Sequence, residues 1–302
     1  MNEFLKVAGS RAHSIAHNGS LRGGLLKPLA KTTQMHCRFS SALQLPTKLL
    51  PILASLLLGT SLANASDVDE LDDAASRLQY AFYTADLRGL HDVIDIIEAL
   101  DVDAPPGAKE YQLAYGEWKL AQLYADPTSQ RTPVPHAGSL AGKAAEQCVK
   151  HARAAIHQDA RMADAHALDA ICSGMPQGFF RLTGLSGANC DKSKSLKTAL
   201  ELAPGNPRVQ LIGALCNASK SEQTTSSVAK WSAVVAAFES APPSSPGTPD
   251  WGHVEALTLL GESYLQTGDR VKARDALERA LVLAPDYHQA QRMLEGVAAR
   301  PR

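Results

Sequence analysis

The chain has 302 residues, 45% of them hydrophobic and 5% aromatic, with 30 basic side chains against 31 acidic ones. So few aromatics alongside so much alanine suit closely packed helices and are lean for a β-sandwich. A net charge of −1 carries none of the strong positive balance of a nucleic-acid binder.

Residues 1–65 read as targeting sequence rather than fold. An apolar run opened by Lys48-Leu49-Leu50 reaches Leu62 and ends in Ala63-Asn64-Ala65, with small residues at the two positions a signal peptidase reads. The mature chain is therefore expected to begin near Ser66 and to be periplasmic or secreted. Pro51, Ser55 and Gly59 interrupt the run, which is too short for a membrane span. The charged start of this signal lies between Met35 and Lys48, which makes Met35 the expected translation start. The alternative is an organellar transit peptide, because residues 1–48 are basic and rich in serine. Residues 1–65 hold seven Lys/Arg and one acid, so residues 66–302 keep 23 basic and 30 acidic side chains, about −7. That balance argues against nucleic acid or an anionic membrane surface as partner.

Residues 68–84 put Leu71, Ala74, Leu78, Ala81 and Phe82 on one helical face. The acids from Asp67 to Asp73 suit the positive end of that helix. A second helix, to about Leu100, carries Leu90, Val93, Ile94 and Ile97. After the break at Pro105-Pro106-Gly107, a third sets Tyr111, Ala114, Tyr115, Trp118 and Ala121 in register. Residues 126–138 turn to Pro, Thr, Ser and Gln and form a long loop.

Cys148, Ala152, Ala155 and Ile156 then mark a helical face, followed by Ala165-x2-Leu168-Asp169-x2-Cys172. The same spacing returns as Val209-x2-Ile212-Gly213-x2-Cys216, behind an expected helix from Cys190 to Ala203. Between the two copies lies an insert, Met175 to Ala188. A helix with Trp231, Val235 and Phe238 leads into a stiff linker, Pro242 to Pro249.

The most regular stretch is residues 254–287. It reads Leu257-x2-Leu260-Gly261-x2-Tyr264, then Ala273-x3-Leu277, Ala280 and Pro285. Leu257, Leu260 and Tyr264 form an apolar stripe, and Gly261 and Ala273 are small where two helices cross closely. Gly268-Asp269 stops the first helix and Pro285 the second. This is the spacing of the tetratricopeptide repeat (TPR).

On these residues the chain resembles exported bacterial TPR proteins. The resemblance is fullest over 251–298, looser over 141–216 and loosest over 68–125. It implies an all-α, TPR-like right-handed α-solenoid of antiparallel helix pairs over residues 66–302, closed by a cap helix at 288–298. It also implies a scaffold for protein–protein interaction, with a concave face lined by the first helix of each pair. On the clearest repeat that face is Glu255, Thr258, Glu262 and Gln266. Family members that clamp a peptide carboxylate place Lys and Asn there. The two acids present here point instead to a basic or neutral polar protein or peptide. The alternative is a small-molecule or glycan binder of the cell envelope that uses Tyr111, Tyr115 and Trp118 as a sticky face.

Four cysteines follow the leader: Cys148, Cys172, Cys190 and Cys216. Cys172 and Cys216 fill equivalent slots one repeat apart. Neighbouring helices there lie roughly 8–10 Å apart, beyond the ~4.4–6.8 Å Cα separation of a disulfide, so these two should not pair. Cys190 begins the helix antiparallel to that of Cys172, which favours a Cys172–Cys190 bridge, with buried free thiols as the alternative. No CxxC or HExxH spacing is present, and no nucleophile elbow, phosphate loop, calcium loop or dinucleotide fingerprint. No metal, cofactor or catalytic residue is therefore expected.

Overall fold

Single residues at the turns divide the chain into its helices. The computed structural model describes residues 63–130, 132–175, 190–217, 224–244 and 248–298. Among them are eleven helices: α1 (Ala63–Tyr83), α2 (Leu87–Ala99), α3 (Ala108–Ala125), α4 (Ala137–Gln158), α5 (Ala163–Ser173), α6 (Lys194–Leu202), α7 (Pro207–Cys216), α8 (Thr224–Ser240), α9 (His253–Gln266), α10 (Arg270–Leu283) and α11 (His288–Ala298). Asp86, Asn206 and Asp269 cap α2, α7 and α10 by accepting the backbone N–H of Gly89, Arg208 and Lys272. Gly268 closes α9 at a φ of 79°, a left-handed turn that glycine adopts without strain. Residues 1–62 of the expected leader and 176–188 of the insert lie outside the described residues.

Successive helices pair, α1 with α2, α3 with α4 and so on to α9 with α10, and α11 packs against the last pair. The architecture is the all-α, TPR-like solenoid of antiparallel pairs that the repeat spacing implies. At the clearest repeat the close crossing is as expected. A methyl group on Gly261 would sit 2.8 Å from Leu277 Cγ, with the Ala273 carbonyl oxygen 3.4 Å away.

The centre of the array is α3. It lies against α1, α2, α4 and α5, and from Tyr111 to Leu123 every residue except Glu117 is buried. A helix buried on all sides has no polar stripe, which is why α3 shows so little amphipathic pattern. At Gly116 it meets its neighbours so closely that an added Cβ would fall 2.8 Å from both Ile94 Cγ1 and Leu78 Cδ1.

The cysteines pair differently from the expected Cys172–Cys190 bridge. Cys148 is joined to Cys172, with Cα atoms 6.1 Å apart, and Cys190 to Cys216, with Cα atoms 4.8 Å apart. Antiparallel helices bring together residues equidistant from their turn. Cys148 precedes the end of α4 by about as many residues as Cys172 follows the start of α5. The Cys190–Cys216 bridge spans α6 and α7 in the same manner, except that Cys190 stands just ahead of α6 and not within it. Each bridge thus links the second helix of one pair, or the residue leading into it, to the first helix of the next pair, and all four bridged cysteines are buried. Cys172 and Cys216 do not pair with each other, as expected from their separation.

Candidate functional site

The face expected to be concave and open is only partly so. Gln266 is exposed and Glu262 half-buried, and Gln266 Nε2 donates to Glu262 Oε1 at 3.5 Å. Burial pushes the Glu262 carboxyl above its usual range. Glu255 and Thr258, by contrast, are 2% and 0% exposed. The Thr258 hydroxyl donates back to the Val254 carbonyl at 2.8 Å. These two residues face protein, because the first hairpins of the array reach across and fill the inner surface of the last.

The filling is built around one lysine. Lys119 of α3 is 0% exposed, and its Nζ donates to Glu255 Oε1 at 3.1 Å and to Gln122 Oε1 at 3.3 Å. The ammonium also lies 4.1 Å from the ring centroids of both Phe82 and Trp118, with Tyr115 at 5.1 Å and Trp251 at 5.6 Å. Burial pulls the Lys119 pKa down while Glu255 opposes the shift. The second carboxylate oxygen of Glu255 accepts from Tyr83 of α1 at 3.3 Å and from the Gly252 backbone at 3.2 Å. Such a pair is tolerated in a dry interior when every donor and acceptor is met and the rings supply their electron-rich faces.

Around this pair the two ends of the array interlock. Trp251 Nε1 donates to Tyr111 Oη at 2.6 Å, and the Trp251 ring stacks on Tyr115 at 5.0 Å. Tyr287 meets both Phe82 and Tyr83, and Arg292 of the cap helix pairs with Asp126 at 3.1 Å. Tyr111, Tyr115 and Trp118, the sticky face of the glycan-binding alternative, are therefore core: each is 2% exposed or less. Packing across the array, against Trp251, accounts for them. Lys119 itself carries no sequence signal beyond its place in a helix with no polar side.

The open surface lies at the rim instead. A groove of about 1320 Å³ runs where α1, the starts of α7 and α9 and the ends of α8 and α10 converge. Its wall includes Gln79, Tyr80, Arg208, Phe238, Asp250 and Asp286. Asp164 takes Arg208 Nε on one oxygen at 2.8 Å and Asn206 Nδ2 on the other at 2.7 Å. Burial pulls the Arg208 guanidinium down, but Asp164, Tyr111 and Asp250 together raise it further and the net shift is upward. His253 stacks flat on Phe238, with ring centroids 5.5 Å apart and planes 3° from parallel. Burial holds its imidazole below the usual value, and its Nε2 has no hydrogen-bond partner among the described residues.

Gly252 shapes the groove floor. It sits at a φ of 106°, and a Cβ there would fall 2.6 Å from Phe238 Cζ. None of the groove residues was singled out from the sequence as a site. The one legible signal is Tyr80, an aromatic that falls off the apolar stripe of its own helix and is 59% exposed.

Residues 254–287, which cover α9 from its second residue, α10 and the turns that follow them, match the tetratricopeptide repeat family. No curated protein matches the chain. No helix among the described residues is long and apolar enough to cross a membrane.

Proposed function

We propose that this protein is an extracytoplasmic interaction scaffold that holds a protein partner in the rim groove, with binding rather than catalysis as its role. The TPR match supports a protein partner in general terms. The observation that carries the site is the contrast in surface: the inner face of the matched repeat is filled by the protein's own core, while the groove beside it stays open. The exported destination, periplasmic or secreted, is supported by the apolar run that ends at Ala65 and by two buried disulfides. Such bridges persist in oxidising compartments and are rare in the cytosol.

The test is chemical cross-linking in the native cell fraction, comparing the wild-type protein with a Tyr80→Arg variant whose bulk and charge obstruct the groove. The partner cross-linked to wild type is expected to be lost from the variant. An unchanged cross-linking pattern overturns the groove assignment. Intact-mass measurement of the purified protein addresses export separately, with an N-terminus at Ser66 expected and an unprocessed N-terminus counting against it.

A further inference from the structure

The charges along the groove define what it can hold. Two cationic side chains line it, and neither has a charge to spare. Arg208 is compensated by Asp164, and both are largely buried. His253 is disfavoured as a cation by its burial against Phe238. Asp250 and Asp286 remain as the groove's carboxylates without an ion-pair partner among the described residues. Among the described residues Asp250 accepts the Ser244 hydroxyl at 3.3 Å, and its charge also acts on Arg208 and His253 without forming an ion pair. Two apolar side chains flank the same groove from different helices: Tyr80 of α1, 59% exposed, and Leu283 of α10, 52% exposed.

Resting on the interaction reading above, we infer that the groove takes an extended peptide segment with net positive charge and an apolar side chain that seats between Tyr80 and Leu283. A lysine or arginine of the peptide meets Asp250 or Asp286. The apolar side chain covers hydrophobic surface that the free protein leaves in water. A neutral glycan would cover the two carboxylates without supplying a counter-charge, which costs their hydration. An acidic peptide would meet like charge along the wall.

Three labelled peptides with the same apolar side chains, one lysine-rich, one neutral and one glutamate-rich, test this when titrated into the disulfide-intact protein. The lysine-rich peptide is expected to bind tightest, by about fivefold over the neutral one at low ionic strength, with the margin closing as salt rises. Replacing Asp250→Asn and Asp286→Asn together should remove the margin and leave the neutral peptide unaffected. Tyr80→Ala should weaken both peptides alike. Equal binding of all three, or tightest binding of the glutamate-rich peptide, overturns the charge inference while the peptide-groove reading stands. Failure of all three to bind overturns both, and binding of a soluble chitin oligosaccharide in their place assigns the groove to glycans.

Discussion

The inner face of the last repeat and the rim groove lie side by side and share Tyr83, Trp251 and Val254 in their walls, yet they have opposite characters. On the inner face Glu255 and Thr258 have been drawn into the core, and the charge of Glu255 is met by Lys119 within the molecule. On the rim, Tyr80, Leu283, Asp250 and Asp286 are left to solvent. The same scaffold thus separates its stability from its recognition. Substitutions on the inner face should change folding, and substitutions on the rim should change binding alone.

The largest effect falls on the inner face. Lys119→Ala leaves Glu255 buried and uncompensated and should cost about 3–5 kcal/mol in denaturant unfolding. Replacing both partners with apolar residues, Lys119→Met with Glu255→Leu, should recover most of that loss. A double variant as unstable as the single one would show that the pair itself stabilises the fold, beyond the cost of stranding one charge.

Opening either disulfide comes next. Cys148→Ala with Cys172→Ala, or Cys190→Ala with Cys216→Ala, frees a loop closed over a sequence separation of 24 or 26 residues. Each should lower stability by about 3 kcal/mol and lower the urea midpoint accordingly.

A smaller effect is visible only as a pH dependence. Burial lifts the half-buried Glu117 carboxyl from 4.5 to about 7, with Glu98 and Asp95 adding to the shift and Lys150 opposing it. A folded value above the unfolded one means stability that is fully present below about pH 4.5 and lost as pH rises through about 7. Glu117→Gln should flatten that decline and add about 2 kcal/mol at pH 8, after discounting for its partial exposure. Unfolding curves on both sides of pH 7 check it.

The smallest expected change in stability belongs to the rim. Tyr80→Ala and Asp286→Asn should shift it by no more than about 0.5 kcal/mol while altering peptide affinity. A rim substitution that unfolds the protein would erase the separation between the two surfaces.

Local rules were legible in the sequence and global closure was not. Gly261, Ala273, Gly268 and Pro285 announce a close crossing and two helix ends, and the structure places them there. These residues act within a turn or between adjacent helices, where spacing alone fixes the geometry. Lys119 and Glu255 stand 136 residues apart, and their meeting depends on the summed rotation of every hairpin between them. No spacing reports that sum, so Glu255 and Thr258 read as an open face when they are core. The bridges lie between these cases. Measuring each cysteine from the turn at Asp159 or from the one between Ala203 and Asn206 finds the correct partners, whereas measuring across the insert finds Cys172 and Cys190. The groove was the least legible feature, since it is assembled from the ends of five helices far apart in the chain.

The contact between first and last hairpins changes how the molecule should come apart. A linear stack of repeats behaves as a one-dimensional chain whose terminal units fray before the middle, each repeat held only by its nearest neighbour. Here α1 and α3 grip α9, and Asp126 grips α11, so among the described helices neither the first nor the last is held by its sequence neighbour alone. Fraying one end strands a buried charge at the other. Amide exchange should therefore proceed through one global opening, with α1 and α11 protected as long as α5, and unfolding should be concerted in a way that stacked repeats seldom are.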